Sequence, residues 1–594
     1  MNILGLGGAL GHDAAAAVLC DEVVVAAAEE ERFSRKKHAP GALPEAAARY
    51  CLDAAKLTGR DIDCVAIPYA PIGLLRPDRW QTARGYWYAP DRTVDALLNG
   101  NRRYRRFERR IRALGAQLGI DWRRTRLAPV EHHLAHASSA YHLSGFDGPT
   151  AILGIDGKGE YATTFLGQGV DGRIEPIGSS YDPHSLSGLY GALTQYLGFD
   201  MLDGEYKVMG MACYGNPDAI TLDHLVAVTA AGVRVDTARV NTVGLRRYKR
   251  NGRGYYFGKR LVDELGEPRP ATFDSGPVEQ RFLDVAAATQ ALFERRALEL
   301  VDRFLAPILA DGGRLAFAGG GALNVKLNQR LLARPDVKRL FVQPAAGDAG
   351  TALGAATYVA AGAGVRFPEQ RHCFFGPAFS SDACEAALAP RLAGGTLCAR
   401  RMNDPVTEAA DLITAGHPLA WFQGPMEFGP RALGARSILA NPATPGIADR
   451  INAQIKFRET WRPFCPSLLD AQATAMLKMD HPAPFMTLTF DIDDEWRARV
   501  PEVVHIDGTA RVQVVTADAH PRYHALLDAM RARTGVGVLL NTSLNRRGEP
   551  IVATPDDALA MFLGCDLRYL MLEDWLVTKP KDSGTERAEA MADA

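Results

Sequence analysis

A chain of 594 residues, 47% hydrophobic and 23% charged, is too long for a single core and has the composition of an ordinary soluble globular protein with two large domains. Its formal net charge of −1 leaves no global field to draw it to nucleic acid or a membrane surface. Nine cysteines with no Cys-x-x-Cys argue for reduced thiols in a cytosolic protein, against a disulfide scaffold or a cysteine zinc site. No basic segment precedes an apolar one at the N-terminus, and the runs 14–19 and 23–28 are far too short to cross a bilayer, so a cytoplasmic protein is expected.

In chain order, residues 2–6 read as a strand and Gly7, Gly8 and Gly11 as a flexible turn. His12-Asp13 then leads into strands over 14–19 and 23–28. A dinucleotide fingerprint would need a third glycine where Leu10 stands and a helix after it, and both are missing. His12 and Asp13 either reach a phosphate or metal or cap a turn. The charged run 29–38 reads as a solvated face or, through Lys36, Lys37 and His38, as a set of anion-holding cations. Pro44 opens an amphipathic helix over 45–55. The arginine cluster 102–112, interleaved with Tyr104 and Phe107, is an exposed helix or substrate-approach surface in preference to a nucleic-acid arm.

His132 and His136 lie four residues apart among helix-favouring Ala and Leu, which puts both imidazoles on one helical face, able to grip one metal ion. His133 stands where a zinc protease would carry its glutamate, so that reading is poor; the alternative is a helix with ordinary histidines. Roughly twenty residues on, the apolar strand 151–155 ends in Asp156-Gly157-Lys158-Gly159-Glu160. That junction offers a hard oxygen ligand and backbone N–H groups able to close on an anion. A strand follows over 161–167. Residues 203–212 form a compact loop-to-helix piece containing Lys207, 246–260 a basic loop, lid or insertion, and 282–310 the longest helical pattern of this half. Strand 314–318 runs into Gly319-Gly320-Gly321-Ala322-Leu323-Asn324, where a ligand can meet bare backbone at a helix N-terminus; no Gly-Lys-Ser/Thr follows, so it is not a Walker A loop. Asp348, in a glycine-flanked turn before a small-residue helix, is a second carboxylate ligand or an N-cap.

These pieces, with Phe428-Gly429-Pro430-Arg431, the segment 456–464 and Asn541-Thr542-Ser543-Leu544-Asn545, resemble in order and number the carbamoyltransferases of the nodulation-factor and antibiotic type, over almost the whole chain. The resemblance implies an α/β protein of two catalytic units. Residues 1–365 are expected to form an ASKHA domain (actin-like ATPase, RNase H-like), and 366–580 a YrdC-like α/β domain that makes an acyl-adenylate. Residues 581–594 are expected to form a disordered tail. Carried over, the metal ligands are His132, His136, Asp156 and Asp348, a mixed N/O set suited to Fe2+, with Mn2+ or Zn2+ possible by chemistry. His12 and Lys37 fall beside the transfer site. Asp156, Gly157, Lys158, Gly159, Lys207, Gly320, Gly321 and Asn324 fall at the nucleotide or donor.

The join is expected near 362–380. Beyond it Arg431, Lys456, Arg458 and Arg462 form a cationic set, with Ser543 and Asn545 matching the family's Ser-x-Asn after the apolar strand 535–540, Asn541 a further binding residue beside them and Arg511 a further anion contact. Carbamoyl phosphate and ATP, with Mg2+, are polyanions whose desolvation needs fixed cations. The implied function is an O-carbamoyltransferase: carbamoyl phosphate and ATP give carbamoyl-adenylate, and the carbamoyl group goes to a hydroxyl of a small molecule, an antibiotic or sugar-containing metabolite. A homodimer is expected by family analogy, and neither membrane nor nucleic acid as partner. Rival readings are a tRNA threonylcarbamoyl enzyme, supported only by the arginine cluster 102–112, and a non-catalytic ASKHA nucleotide-binding protein.

Overall fold

The computed structural model describes residues 1–9, 11–270, 278–459 and 461–580; the tail read over 581–594 lies outside them. The chain is mixed α/β and divides into two compact units. One comprises Met1–Phe375 with Phe428–Pro430 and Thr487–Phe490, the other Gly376–Glu427 with Arg431–Met486 and the chain from Asp491 on.

The first unit repeats one plan. Its first sheet contains β1 (Asn2–Ala9), β2 (His12–Cys20), β3 (Val23–Glu29), β4 (Cys64–Ile67) and β5 (Arg126–Pro129) in the order β3-β2-β1-β4-β5. Between β4 and β5 runs helix α1 (Gly100–Gln117), and directly after β5 helix α2 (His132–Tyr141). The second sheet contains β6 (Thr150–Ile155), β7 (Ala162–Val170), β8 (Arg173–Tyr181), β9 (Arg314–Ala318) and β10 (Arg339–Val342) in the order β8-β7-β6-β9-β10. In both, the first three strands are antiparallel and the last two are added in parallel. Continuous apolar runs such as 14–19 are buried throughout, as befits strands covered on both faces. Helix α3 (Gly350–Gly362) closes the unit.

Gly7 and Gly8 lie inside β1 and do not form the predicted turn. A Cβ at Gly5 would stand 2.0 Å from the Ala352 carbonyl oxygen, and one at Gly7 2.6 Å from the Ala352 nitrogen. These glycines let α3 lie on bare strand backbone. The same helix meets α2 at Gly354, where a Cβ would come 1.9 Å from the Ala135 carbonyl oxygen. The small-residue composition of α3 is therefore a packing requirement, imposed from two sides.

The solvated-face reading of 29–38 is corrected. Glu30–Ser34 is a short helix, and Glu29, Glu30 and Arg32 are buried. Arg32 pairs with Glu29 (3.0 Å) and Glu31 (2.9 Å) and donates to the Gly429 carbonyl at 2.8 Å, while Glu29 accepts from the Gly429 N–H at 3.1 Å. The partner that makes burial tolerable lies about 400 residues away in sequence, so no local pattern announces it. The basic loop expected at 246–260 is a hairpin, Arg247–Arg250 with Arg253–Gly258, followed by a helix from Lys259. The long helical pattern breaks near Pro307: Gln280–Leu300 is α-helical, Val301–Leu305 is a π turn, and Ala306–Leu309 resumes, because proline carries no N–H to continue the ladder.

The second unit is built on an eight-stranded mixed sheet. Its strands are β11 (Cys398–Arg401), β12 (Leu419–Phe422), β13 (Arg436–Ala440), β14 (Cys465–Leu469), β15 (Gln513–Val515), β16 (Val538–Ser543), β17 (Tyr569–Leu572) and β18 (Trp575–Thr578). Their order is β11-β18-β17-β12-β13-β16-β14-β15. The central β13–β16 pairing sets Ser437 opposite Ser543, which places the Ser-x-Asn motif at the C-terminal end of an interior strand with Ser543 half-buried.

Candidate metal centre and anion site

In the first unit, four side chains from three separate segments converge. His132 and His136 come from the first and second turns of α2, Asp156 from the residue after β6, and Asp348 from the turn before α3. Their ligand atoms all lie within 4.8 Å of one another, and all four residues are buried. The two Nε2 atoms are 3.1 Å apart, Asp348 Oδ1 is 3.5 Å from each, and Asp156 Oδ2 is 3.6 Å from His132 Nε2. Separations of 3.5–3.6 Å are long for hydrogen bonds. They match the edge, about 3.4 Å, of a tetrahedron of ligands about 2.1 Å from a shared ion. The two buried Nδ1 atoms have no hydrogen-bond partner among the described residues, so each imidazole is turned to aim Nε2 at the common point. The donor set therefore fits a divalent ion, and Asp348 is no helix cap: Ala349 is the residue in the N-cap position.

Electrostatics agree. Burial works against the anionic forms of Asp156 and Asp348, yet the adjacent imidazoles hold both carboxyls well below the ordinary range. Burial likewise opposes charge on His132, and the two carboxylates hold it up at about 10. His133, on the neighbouring face, is driven down to about 3 by burial and by the adjacent His132, against the pull of Asp156; it is a neutral core residue outside the four-residue cluster.

The scaffold around the centre is specific. Glu160, half-buried and pushed up to about 7 by desolvation, accepts from the Ala70 N–H at 2.8 Å and from the His132 N–H at 3.2 Å, tying down the first turn of α2. Gly320 N–H donates to Asp156 Oδ1 at 2.8 Å, so the glycine loop orients this carboxylate. Gly321 packs on Ile155, and Gly157 faces open space. Lys158 turns away from the centre to pair with Asp182. Asn324 caps the helix that starts at Val325 and is locked to Gln290 at 2.9 Å. Lys207 lies over the Phe199 ring, 5.3 Å from its centroid. These placements gather Asp156 and Gly320 at the centre and leave Lys158, Lys207 and Asn324 engaged elsewhere.

His12, Asp13, Lys37 and His38, each singled out in the sequence, join with Asp203 in one chain of polar groups. His12 Nδ1 meets Asp13 at 2.9 Å, Asp13 meets His38 Nδ1 at 2.7 Å, His38 Nε2 meets Asp203 at 3.4 Å, and Asp203 pairs with Lys37. Asp13 lifts the pKa of His12, to which the charge of Asp348 also contributes. His38 is held at about 10, where Asp13 and Asp203 outweigh burial.

In the second unit the chemistry is reversed. Lys456 is buried at the end of a π turn, Asn452–Lys456. Its ammonium donates to the Ser543 carbonyl, to Ser543 Oγ (3.3 Å), to the Asn545 carbonyl (3.1 Å) and to Asn545 Oδ1 (2.9 Å). No carboxylate pairs with it among the described residues. Burial, reinforced by the charges of Arg458 and Arg462, drives its pKa well below that of an ordinary lysine. Arg458 is braced by Asn452 (2.7 Å) over the Phe464 ring, and Arg462 lies 3.6 Å from Glu459. Arg431 stands half-buried in a bend, with no hydrogen bond to Lys456. Arg511 faces Cys465 at 3.1 Å, and Asn541 is bonded to Ser467 at 2.9 Å within the sheet. The structure thus joins Lys456, Ser543 and Asn545 directly and sets Arg458 and Arg462 within their field; Arg431, Arg511 and Asn541 stand outside that bonded group.

Residues able to hold a cation in one unit and a buried lysine near arginines in another fit an enzyme that handles charged substrates. The chain belongs to the carbamoyltransferase family and is a carbamoyltransferase: residues 2–357 match the family's carbamoyltransferase N-terminus and residues 410–579 its carbamoyltransferase C-terminus. It is 36% identical to an uncharacterized protein of Synechocystis sp., over 97% of both chains. It is 35% identical to nodulation protein NolNO of Sinorhizobium fredii, over 97% of this chain and 80% of that one. It is also 35% identical to nodulation protein NolO of Bradyrhizobium diazoefficiens, over 76% of this chain and 79% of that one. Among solved structures, HypF of T. kodakarensis aligns at 15% identity over 62% of this chain and 48% of that one, with a TM-score of 0.29. No helix among the described residues is long and apolar enough to cross a membrane.

Proposed function

We propose that the chain is an O-carbamoyltransferase that draws on carbamoyl phosphate and ATP, activates the carbamoyl group as carbamoyl-adenylate in residues 366–580, and transfers it in residues 1–365 to a hydroxyl of a small natural product. The repeated five-stranded plan supports an ASKHA assignment of the N-terminal part. The Lys456, Ser543 and Asn545 group supports a YrdC-like assignment of the C-terminal part. The observation that carries the reading is the opposite deficit of the two sites: one is short of a cation, the other of an anion.

In the activating step a carbamate oxygen bonds to the α-phosphorus of ATP as the α–β bridge breaks and pyrophosphate leaves; water takes the phosphoryl group of carbamoyl phosphate. Lys456 supplies a point charge to the polyanion, and Arg458, Arg462 and Arg431 supply forks. In the transfer step the acceptor oxygen bonds to the carbamoyl carbon, and AMP departs with the electron pair of the broken C–O bond. His12 takes the acceptor's proton on Nε2, because its Nδ1 is engaged by Asp13. Lys37 contributes positive charge nearby. His132, His136, Asp156 and Asp348 would hold a divalent ion, Fe2+ by preference and Mn2+ or Zn2+ by chemistry, which supplies Lewis-acid charge for the departing and forming oxyanions.

The test separates the halves. Lys456→Ala should abolish pyrophosphate release and carbamoyl-adenylate formation from carbamoyl phosphate and ATP, yet still transfer from supplied carbamoyl-adenylate. His132→Ala/His136→Ala should behave in the opposite way. Normal adenylate formation by the lysine variant, or full transfer by the double-histidine variant, contradicts the assignment.

A further inference from the structure

The net charge of −1 conceals one strongly polarised surface in the first unit. Helix α1 carries seven arginines between 102 and 112, all exposed, opposite a buried face of Phe107, Ile111 and Leu114. Arg103 pairs with Asp95 and Arg112 with Glu108; the other five meet no carboxylate among the described residues. The segment that leads into this helix holds large apolar side chains in water: Leu75 is 91% exposed, Trp87 73% and Leu98 75%, with Leu74, Trp80 and Val94 about half exposed.

These side chains are held out on a fixed frame. Arg79 is buried and donates to the carbonyls of Ile72 (2.6 Å) and Leu97 (2.9 Å), and Asn101 bonds both backbone groups of Ile72. The exposed groups are also joined to one another. Trp80 Nε1 donates to the Leu74 carbonyl at 3.1 Å, and Arg246 lies 5.4 Å from the Trp87 ring and 4.0 Å from the Tyr88 ring. Leu245, beside that arginine, is fully exposed. So many large apolar side chains held in water within one short stretch of chain mark an interaction site.

We infer that this surface docks on an anionic lipid bilayer, with the arginines of α1 on the headgroups and Leu75, Trp87, Leu98 and Leu245 entering the interface. Tryptophan and leucine beside arginine are the combination that peripheral membrane segments use. A second copy facing the same patch would set arginine against arginine. A nucleic acid would match the arginines and leave the aliphatic tips in water. A bilayer satisfies both halves, and a chain of low net charge can bind it because the field of a local cluster acts within a Debye length of about 8–10 Å. The inference goes beyond the carbamoyl-transfer reading and does not depend on it.

The full chain is to be sedimented with phosphatidylcholine vesicles and with vesicles containing phosphatidylglycerol. The expected result is pelleting with the anionic vesicles, weakened by salt, with a blue-shifted tryptophan emission. Arg102→Ser/Arg105→Ser/Arg106→Ser/Arg109→Ser should weaken partition by about tenfold or more per pair removed. Leu75→Ser/Leu98→Ser should keep the anionic preference and lose the salt-resistant fraction. Unchanged far-UV circular dichroism and melting temperature exclude a folding defect and keep this test separate from that of the transfer reading. Equal partition to both vesicle types, undiminished pelleting of the arginine variant, or a dimer in solution that these substitutions dissociate would overturn the inference.

Discussion

The His/Asp centre of the first unit and the Lys456 site of the second are both buried, polar and incompletely neutralised, but with opposite sign. The first gathers two carboxylates and two imidazoles with their lone pairs aimed at a point none of them occupies. The second holds an ammonium among neutral oxygens beside two guanidinium groups. A buried charge without its partner costs several kcal/mol, so each site stores a deficit that a ligand of the missing sign relieves. Burial alone does not make a functional site; an unrelieved charge inside a formed scaffold points to what belongs there.

The largest expected effect removes the ligands themselves. His132→Ala/His136→Ala should lower divalent-ion affinity by about three orders of magnitude or more, read as ion per chain after dialysis, because two of four inner ligands are gone. Lys456→Met should weaken triphosphate binding by about a hundredfold in calorimetry and, in the absence of ligand, should raise the melting temperature of the second unit by a few degrees. A lower melting temperature would mean that the lysine stabilises the fold and that the supposed deficit is absent.

A smaller effect probes the support. Glu160→Gln keeps the acceptor for the His132 N–H and should cost less than tenfold in ion affinity. Glu160→Ala frees the first turn of α2 and should cost about 10–100-fold, the usual range for groups that orient a ligand. Equal affinities of the two variants would refute the orienting role.

The smallest effect is a pH dependence in the His12–Asp13–His38 chain. Asp13 is depressed from 3.8, since its two histidine partners outweigh burial, so its contribution to stability is lost as pH falls below that value. His38 is raised from 6.5 to about 10, so its contribution is complete below 6.5 and disappears as pH rises through about 10. The melting-temperature gap between the wild type and Asp13→Asn should therefore be widest between about pH 4 and 6.5 and close toward pH 10. A gap independent of pH would show that the substitution acts through packing.

How much was legible in the sequence follows from how local each cause is. The four-residue spacing of His132 and His136 is a helical fact, and the structure puts both on one face. Asp348 stood open between ligand and cap, because a turn before a helix looks alike in both roles until the third dimension points the carboxylate. Glu160 went unselected: an acid at the end of a glycine-rich loop carries no local mark of the backbone N–H groups it will meet 28 and 90 residues away in sequence. The run 29–38 misled for the same reason, since Gly429 supplies what makes Glu29 and Arg32 buried. Gly7 and Gly8 were read as a turn by their usual habit, when Gly7 answers to a helix some 345 residues on that needs bare backbone beneath it, and Gly8, at a φ of 102°, lies against the Asp13 backbone of the next strand. Short-range periodicity yields elements; long-range satisfaction of polar groups has to be seen.

One measurement addresses the claim of opposite deficits most directly: the divalent ion content of the purified wild-type chain, of Lys456→Met and of His132→Ala/His136→Ala, determined together by elemental analysis after equilibration with Fe2+ under anaerobic conditions. The account predicts one ion per chain in the wild type and in Lys456→Met, and none in the double-histidine variant. One ion per chain retained by His132→Ala/His136→Ala would contradict it.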